Sequence, residues 1–574
     1  MYRSNLLLAA LLSLVSAPLQ AQAPAQQLDQ IFEQYFEDLL RSNPETATRL
    51  GRTEYNDRWG DISSAGRESW RALLRGYVER LESASAEGLD PQRKISRDLL
   101  LADLRQKLAG AEASDYLTSF QQLFGYHTNV MLTLDAMPTT RVKDYEDRIA
   151  RLRAVPPYAD GVIETLREGI EAQIVQPKFV AEILADQIKA QYQPSADESP
   201  LLKAFRKFPE TTPAQEQARL REQAQAAYRE AFQPAWKKLH AFVENEYATN
   251  ARDTAAVTSL PKGPEIYASL VKLYTTTDRT PEEIHETGRD EVERIQAAID
   301  KIAREEGFAD GDAFEKHLRT TPEQRFSSKE EMLAYCRNLA MTVAPGLTSL
   351  FKTLPRMPVG IRPIPEDREA ASASNYSAPA ADGSRPAWFN LKAYEPSEQW
   401  KFDMHALVLH ETNPGHHLQI ALQLEMQGTP EFRKIYRATA YTEGWALYAE
   451  RYGAELGVYA DAAGRFSALE SERFRAKRLV VDTGIHAKGW TREQAIEYMG
   501  EEYTSEVERY IAWPGQALAY KMGQLTMVEL LEKSKNRLGD AFDVREFHDV
   551  ILRNGPLPLG LLEDQVEEWL AGRK

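Results

Sequence analysis

Helical periodicity dominates this sequence from Gln27 to about Asn250, and it resumes near Gln399 and continues almost to the C-terminus. Apolar side chains recur there every three or four residues, as at Leu28, Ile31, Phe32, Tyr35, Phe36 and Leu39. This spacing places one apolar stripe along each helix and gives little support to extended strands. The sequence therefore predicts a mainly α protein.

One segment departs from the helical pattern. Between Leu354 and Leu391 the chain carries six prolines and ends in the alternating run Ala387-Trp388-Phe389-Asn390-Leu391. Alternation bounded by turn residues is typical of a strand. We predict a small antiparallel β-sheet in this segment.

The domain boundary is predicted from a break in the helical rhythm. At 574 residues the chain exceeds what a single hydrophobic core usually supports. Pro261-Lys262-Gly263-Pro264 interrupts the pattern, and a capping box at Thr280-Pro281-Glu282-Glu283 then opens a new helix. We predict an N-terminal helical lobe over residues 24–255 and a second lobe over residues 256–574, packed together as one unit.

The N-terminus has the layout of a secretory signal. Arg3 precedes an apolar run from Leu6 to Val15, and the small-residue motif Ala21-Gln22-Ala23 follows. The run is too short to span a bilayer comfortably, although an uncleaved signal anchor is the alternative. We predict a signal peptide over residues 1–23, cleaved after Ala23, a periplasmic or secreted location, and no stable membrane insertion after cleavage.

Charge and cysteine usage limit the partners. Lys plus Arg number 70 against 86 Asp plus Glu, giving a net charge of −16, and no dense basic cluster occurs. This balance argues against nucleic acid or an anionic membrane as the main partner. The only cysteine, Cys336, excludes an intramolecular disulfide, and no cysteine follows the apolar run to carry a lipid. The oligomeric state stays open.

A histidine cluster carries the chemistry. Of the ten histidines, four lie between His405 and His417, around the motif His410-Glu411-Thr412-Asn413-Pro414-Gly415-His416-His417. In zinc hydrolases two histidines hold the metal, and the glutamate beside the first activates water. We therefore predict Zn²⁺ as the cofactor, His410 as a ligand and Glu411 as the general base.

The second ligand does not have the usual spacing. On an unbroken helix His416 would point about 120° away from His410, and His417 would lie about 10 Å further along the axis. Pro414 cannot donate the helical hydrogen bond and disfavours helix at Asn413. We expect a bulge there that returns His416 to the first histidine, with His417 as the alternative ligand.

The third ligand is predicted on the next helix, within residues 430–456. Glu443 is the best candidate, because Gly444 permits a close helix approach and the surrounding residues are apolar or aromatic. Glu450, two turns further along the same face, either orients a ligand or is a solvated acid.

The sequence resembles the bacterial "domain of unknown function 885" family, whose members are similar to zinc metallopeptidases. The matching segments are His410 to Gln419, Thr442 to Glu450, Asp382-Gly383-Ser384-Arg385-Pro386, Asp482-Thr483-Gly484-Ile485-His486 and Pro514-Gly515-Gln516-Ala517-Leu518-Ala519-Tyr520-Lys521. The resemblance implies a large helical metallopeptidase-like fold with the sheet beside the active-site cleft. The histidine motif also resembles the zinc motif of helical metallopeptidases such as thimet oligopeptidase, carboxypeptidase Taq and dipeptidyl peptidase III, with Gly415-His416 at its end. Two inserted residues make it longer than the shortest such motif.

Two residues in these segments are candidates for stabilising an oxyanion. Tyr520 would donate its hydroxyl, and His486, one turn after Asp482, would be held protonated as a donor. The alternatives are a buried aromatic residue whose hydroxyl is already bonded and a structural histidine.

Two further residues are candidates for binding substrate. Arg385 either binds a substrate carboxylate or anchors its own loop through Asp382. The strand around Phe389 either pairs with an extended peptide as an edge strand or is simply packed.

These residues together predict a secreted zinc peptidase that acts on small or unfolded peptides, with residues 256–574 as its catalytic lobe. A catalytically silent helical binding protein with a structural metal site is the main alternative, and hydrolysis of another amide or ester also stays open. A di-iron bundle is disfavoured, because no Glu-x-x-His pair lies near the cluster. The cleavage position, at an end or within a peptide, is left open.

Overall fold

The structure is a computed structural model that describes residues 24–369, 373–380, 383 and 385–573. Residues 1–23, which we interpret as a signal peptide, lie outside the described residues. Within the described part, the chain is mainly α with one small sheet, which confirms the predicted fold class.

Helices fill the N-terminal part of the chain. They are α1 (Pro24–Ser42), α2 (Pro44–Arg49), α3 (Ser64–Ser83), α4 (Pro91–Ala109), α5 (Ala111–Ala113), α6 (Tyr126–Ala136), α7 (Val142–Arg153), α8 (Val155–Glu171), α9 (Lys178–Tyr192), α10 (Ala214–Ala227), α11 (Gln233–Phe242) and α12 (Ala248–Asn250). The predicted stripe of α1 is buried at Leu28, Ile31, Phe32 and Tyr35, so burial of one face explains this helix.

A second group of helices precedes and flanks the sheet. Its elements are α13 (Gly263–Thr275), α14 (Pro281–Glu305), α15 (Gly311–Thr320), α16 (Lys329–Val343), α17 (Leu347–Leu350), β1 (Val359–Pro363), α18 (Glu366–Glu369), β2 (Asn375–Ser377) and β3 (Ala387–Leu391). The capping box at the start of α14 is confirmed. Thr280 Oγ1 accepts from the Glu283 N–H at 3.3 Å, and the Glu283 carboxylate accepts from the Thr280 N–H at 2.7 Å.

The remaining helices carry the histidine cluster and the C-terminal segments. They are α19 (Asp403–Glu411), α20 (His416–Leu424), α21 (Glu431–Ile435), α22 (Thr439–Glu450), α23 (Ala462–Lys488), α24 (Arg492–Met499), α25 (Thr504–Ala512), α26 (Ala519–Leu538), α27 (Val544–Leu552) and α28 (Leu559–Ala571). Of the helices in the described ranges, none combines the length and apolar character needed to cross a membrane.

The two largest apolar clusters divide the chain differently from the predicted lobes. One cluster gathers side chains of α6 to α11 within residues 120–247, together with Ala512 of α25. The other joins α1, α3 and α4 to α13, α19, α22, α26 and α28. The first helices therefore share a core with helices from residues 256–574.

The sheet is mixed, in the order β1-β3-β2. β3 pairs with β1 in parallel and with β2 antiparallel. The predicted strand at Ala387–Leu391 is confirmed, but the expectation of a purely antiparallel sheet is wrong, because β1 and β3 run in the same direction.

Two glycines bring α22 and α26 into close contact. A Cβ atom at Gly444 would lie 2.5 Å from the backbone of Gly523, and one at Gly523 would lie 1.8 Å from the carbonyl oxygen of Ala440. Any larger residue would push these helices apart. The approach places Glu443 on α22 and Tyr520, near the start of α26, in neighbouring positions.

Candidate metal centre

The histidine motif spans a complete interruption between two helices. α19 ends at Glu411 and α20 begins at His416, so the expected bulge within one helix is replaced by a break. The Gly415 N–H donates to the carbonyl oxygen of Leu409 at 3.0 Å. A Cβ atom at Gly415 would lie 2.1 Å from the carbonyl oxygen of His410, so only glycine fits.

This break returns His416 to the first histidine, as the sequence predicted. The rings of His410 and His416 have centroids 4.7 Å apart. The Trp445 indole N–H donates to the carbonyl oxygen of Pro414 at 2.9 Å, which fixes the break against α22.

The ligand atoms of His410, His416 and Glu443 converge. Glu443 Oε2 lies 3.3 Å from His416 Nε2 and 3.6 Å from His410 Nε2. Atoms bound at about 2.0–2.1 Å to a tetrahedral zinc lie about 3.3–3.4 Å apart. The two separations measured from Glu443 Oε2 therefore fit a zinc ion held among these atoms.

Glu450 orients the first histidine. It is 3% exposed, and its Oε1 lies 2.7 Å from His410 Nδ1, so the solvated alternative is wrong. With Nδ1 donating to Glu450, the lone pair of Nε2 is directed toward the centre.

The charges at the centre favour a cation. Burial disfavours the charged form of His410, yet Glu443 and Glu450 raise its pKa to about 9. Burial alone would raise the pKa of Glu443, but the nearby His416 and His410 lower it by more. The resulting pKa is well below the usual range of a glutamate. A metal ion would take the place of the proton that this arrangement attracts.

Glu411 lies beside this centre with a free oxygen. One oxygen of its carboxylate and one ring nitrogen each of His410 and His416 lie within 4.8 Å of one another. Among the described residues, Glu411 Oε2 is buried and has no hydrogen-bond partner. Burial raises the pKa of Glu411, and the two histidines oppose that shift. An uncommitted carboxylate here has the position of a general base.

Tyr520 lies at the same centre. Its ring stacks on His410 with centroids 6.4 Å apart and an interplanar angle of 19°. Burial and the charge of Glu443 raise the pKa of its hydroxyl. The hydroxyl therefore stays protonated and able to donate, as an oxyanion donor requires.

His486, by contrast, is committed to the fold. Its Nδ1 accepts from the Val257 N–H at 3.1 Å, and its Nε2 donates to the carbonyl oxygen of Tyr510 at 3.0 Å. Burial lowers its pKa to about 3. The expectation that Asp482 holds it protonated is wrong, because Asp482 instead accepts from the Tyr267 hydroxyl at 2.6 Å.

His417, the alternative ligand, is also occupied. Its Nδ1 accepts from the Tyr376 hydroxyl at 3.1 Å, and its Nε2 donates to the carbonyl oxygen of Met357 at 2.9 Å. Burial lowers its pKa to about 4. It attaches the sheet to α20, and His416 stays the predicted second ligand.

The sheet contributes a residue that the sequence did not single out. Tyr376 on β2 lies with its ring centroid 6.3 Å from that of His416. Burial raises the pKa of the Tyr376 hydroxyl, while the charges of Arg437 and Arg385 oppose that rise, so the hydroxyl stays neutral. No motif or periodicity in the short segment Asn375-Tyr376-Ser377 indicated that Tyr376 would lie beside His416.

The two candidate substrate residues have different outcomes. Arg385 is exposed, and its charge acts on Tyr376, whereas Asp382, its suggested anchor, lies outside the described residues. Phe389 is fully buried on β3, the central strand. The expectation that its strand offers a free edge is wrong, because β1 and β2 occupy both sides.

Fold and site together define a mainly helical protein with a buried His-Glu-His-Glu centre at a helix break. The chain belongs to DUF885, a family described as bacterial protein of unknown function, whose model matches residues 44–566.

Solved structures share this fold. The crystal structure of the "putative lipoprotein" from Colwellia psychrerythraea has a TM-score of 0.91 and 30% identity, covering 96% of this chain and 100% of that chain. A "putative lipoprotein of unknown function" from Shewanella oneidensis has a TM-score of 0.68 and 18% identity over the same shares, which shows the fold alone. No curated protein matches this chain.

Proposed function

We propose that this protein is a zinc-dependent hydrolase, and specifically a peptidase that cleaves small or unfolded peptides. The observation that carries the proposal is the convergence of His410 Nε2, His416 Nε2 and Glu443 Oε2 at separations of 3.3 and 3.6 Å. Three protein ligands leave one position open, as in catalytic zinc sites, whereas structural sites use four.

The surrounding residues divide the chemistry among them. Zn²⁺ at this centre would supply a Lewis acid that acidifies water and polarises a carbonyl group. Glu411, with its free buried oxygen, would accept the proton of the attacking water and pass it to the leaving amine. Tyr520 would donate its hydroxyl to the developing oxyanion, and Glu450 would hold His410 in the ligating tautomer.

Export is part of the proposal. The apolar run and the Ala21-Gln22-Ala23 motif support a cleaved signal peptide. The similar structure from Colwellia psychrerythraea is described as that of a lipoprotein, an exported class, which also supports a periplasmic or secreted protein.

The test compares the purified mature protein with Glu411→Gln, measuring zinc content and hydrolysis of a mixed peptide library by mass spectrometry. Glu455→Gln, an exposed substitution beyond α22, is the matched control. We expect about one zinc per chain in all three proteins, with cleavage by the wild type and the control only.

A protein that holds zinc but cleaves no peptide in any form would contradict the peptidase proposal. It would favour a binding role with a structural metal site, and a parallel screen of amides and esters would then test the other hydrolytic chemistry.

A further inference from the structure

Arg437 is an exposed positive charge that lies close in sequence to the metal-ligand candidate Glu443. It lies between α21 and α22, six residues before Glu443. Its residue is exposed, and within the part of the chain that the structure describes it makes no hydrogen bond and no ion pair. An arginine in such a position offers its planar fork to a ligand.

The backbone on either side of Arg437 is held firmly. Gln423 on α20 donates from Nε2 to the carbonyl oxygens of Arg433 and Tyr436, each at 2.8 Å. On the other side, the Thr442 N–H donates to the carbonyl oxygen of Ala438 at 2.9 Å, within the first turn of α22. Hydrogen bonds therefore hold the backbone on both sides of Arg437, whereas its side chain has no hydrogen-bond partner among the described residues.

Two groups of the candidate centre lie close enough to act electrostatically on the guanidinium. The charges that act on it are those of Tyr376, whose ring lies near His416, and Glu443, a ligand candidate. Its residue is exposed, so a ligand from solvent can reach the guanidinium. A second arginine, Arg385, also acts on Tyr376 from the sheet side.

The other arginine of this connection provides a contrast. Arg433 is 1% exposed and donates to Gln92 Oε1 and Ser96 Oγ, each at 3.1 Å. It joins α21 to α4 and is structural. Of the two arginines, only Arg437 is available to a substrate.

We infer that Arg437 binds a carboxylate of the substrate and so determines which peptides reach the metal centre. The inference rests on the proposed hydrolase function. Every peptide with a free C-terminus carries a carboxylate, and a cation fixed beside the centre would select peptides that end close to the scissile bond. The enzyme would then release short C-terminal fragments. An acidic side chain is the other source of the same group.

The test uses one peptide sequence in three forms. The sequence is chosen from the library peptides that the wild type cleaves. The three forms are the free C-terminal acid, the C-terminal amide, and the amide with glutamate as its last residue. The proteins are the wild type, Arg437→Gln and Arg437→Lys. Arg451→Gln, at the opposite end of α22, is the matched control that removes one exposed positive charge.

We expect the wild type and Arg451→Gln to favour the acid over the amide by about 10- to 100-fold in kcat/KM, the range for a hydrogen bond to a charged group. Arg437→Gln should lose this preference, because its kcat/KM should fall by about 10- to 100-fold on the acid and by much less on the amide. Arg437→Lys should keep part of the preference. Recovery of the fast rate by the glutamate-ended amide would identify a side-chain carboxylate, and no recovery would identify the C-terminus.

Equal rates of the wild type on acid and amide would overturn the inference while leaving the hydrolase proposal intact. A loss in Arg437→Gln that is the same for acid and amide would also overturn it, because that loss would be structural.

Binding separates this inference from the function on which it rests. The dissociation constants of the same acid and amide are measured on the zinc-loaded Glu411→Gln protein, with and without Arg437→Gln. If the wild type hydrolyses nothing, the proposed function fails, while a preference for the acid that depends on Arg437 still supports carboxylate binding. Equal dissociation constants for the acid and the amide would overturn the inference that Arg437 binds a carboxylate.

Discussion

Replacing Glu450 by glutamine isolates the charge behind the first histidine. Glu450 Oε1 lies 2.7 Å from His410 Nδ1, and Glu450 is 3% exposed, so solvent screens the pair little. Glutamine keeps an acceptor for the Nδ1–H and removes the negative charge. Loss of such an outer carboxylate typically weakens metal binding by about 10- to 100-fold.

The effect should depend on pH. Without metal, Glu443 and Glu450 outweigh burial and raise the pKa of His410 to about 9. At pH 7, which lies below that pKa, zinc must therefore displace a proton from His410, and the cost of this displacement weakens zinc binding. Glu450→Gln weakens zinc binding but also reduces this cost, because it removes one cause of the raised pKa. The two effects oppose each other at pH 7, and the cost disappears above pH 9.

The assay is a competitive titration with a chromogenic zinc chelator at pH 7, 8 and 9.5. We expect the affinity of the wild type to rise through this range, and the ratio of wild-type to Glu450→Gln affinity to widen to about 10- to 100-fold at the highest pH. Glu455→Gln should follow the wild type throughout. A ratio that is constant or that narrows as pH rises would refute the assigned role of Glu450.

The remaining predictions concern the oxyanion donor and the helix break. Tyr520→Phe should retain zinc and lower kcat by about 10²- to 10³-fold with little change in KM, because it removes only a transition-state donor; an unchanged kcat in steady-state assays would exclude that role. Gly415→Ala should lose zinc, because its Cβ would lie 2.1 Å from the carbonyl oxygen of His410. The same clash should lower the free energy of unfolding by about 1–3 kcal/mol and so lower the melting temperature. Gly560→Ala, whose Cβ meets nothing within 4 Å, is the control, and equal zinc content in both variants would contradict the argument.

The helical architecture could be predicted because each helix needs only a local pattern. The stripe of α1 and the capping box at Thr280 and Glu283 are encoded within a few residues, and the structure confirms both. The sheet was harder to predict. The alternation around Phe389 identified a strand, but strand order depends on partners far along the chain, so the central position of β3 could not be read from it.

The roles of individual histidines show the same division. His416 was selected over His417 from the helix-breaking chemistry of Pro414 and Gly415, which is local. His486 was assigned wrongly because its spacing from Asp482 suggested a pair, whereas its bond partners come from Val257 and Tyr510, on other elements. A spacing of four on a helix permits a contact but does not require one.

Tyr376 and Arg437 were missed for a related reason. Neither lies in a motif, and each reaches the centre only because a separate contact fixes its segment: the His417 ring holds β2, and Gln423 holds the connection before α22. Both anchors lie on α20, the helix that begins with His416. The break at Gly415 therefore does more than align two ligands. It sets the direction of a helix that positions the sheet on one side and the Arg437 connection on another, so the metal site and the surfaces that would bind substrate depend on the same turn of backbone.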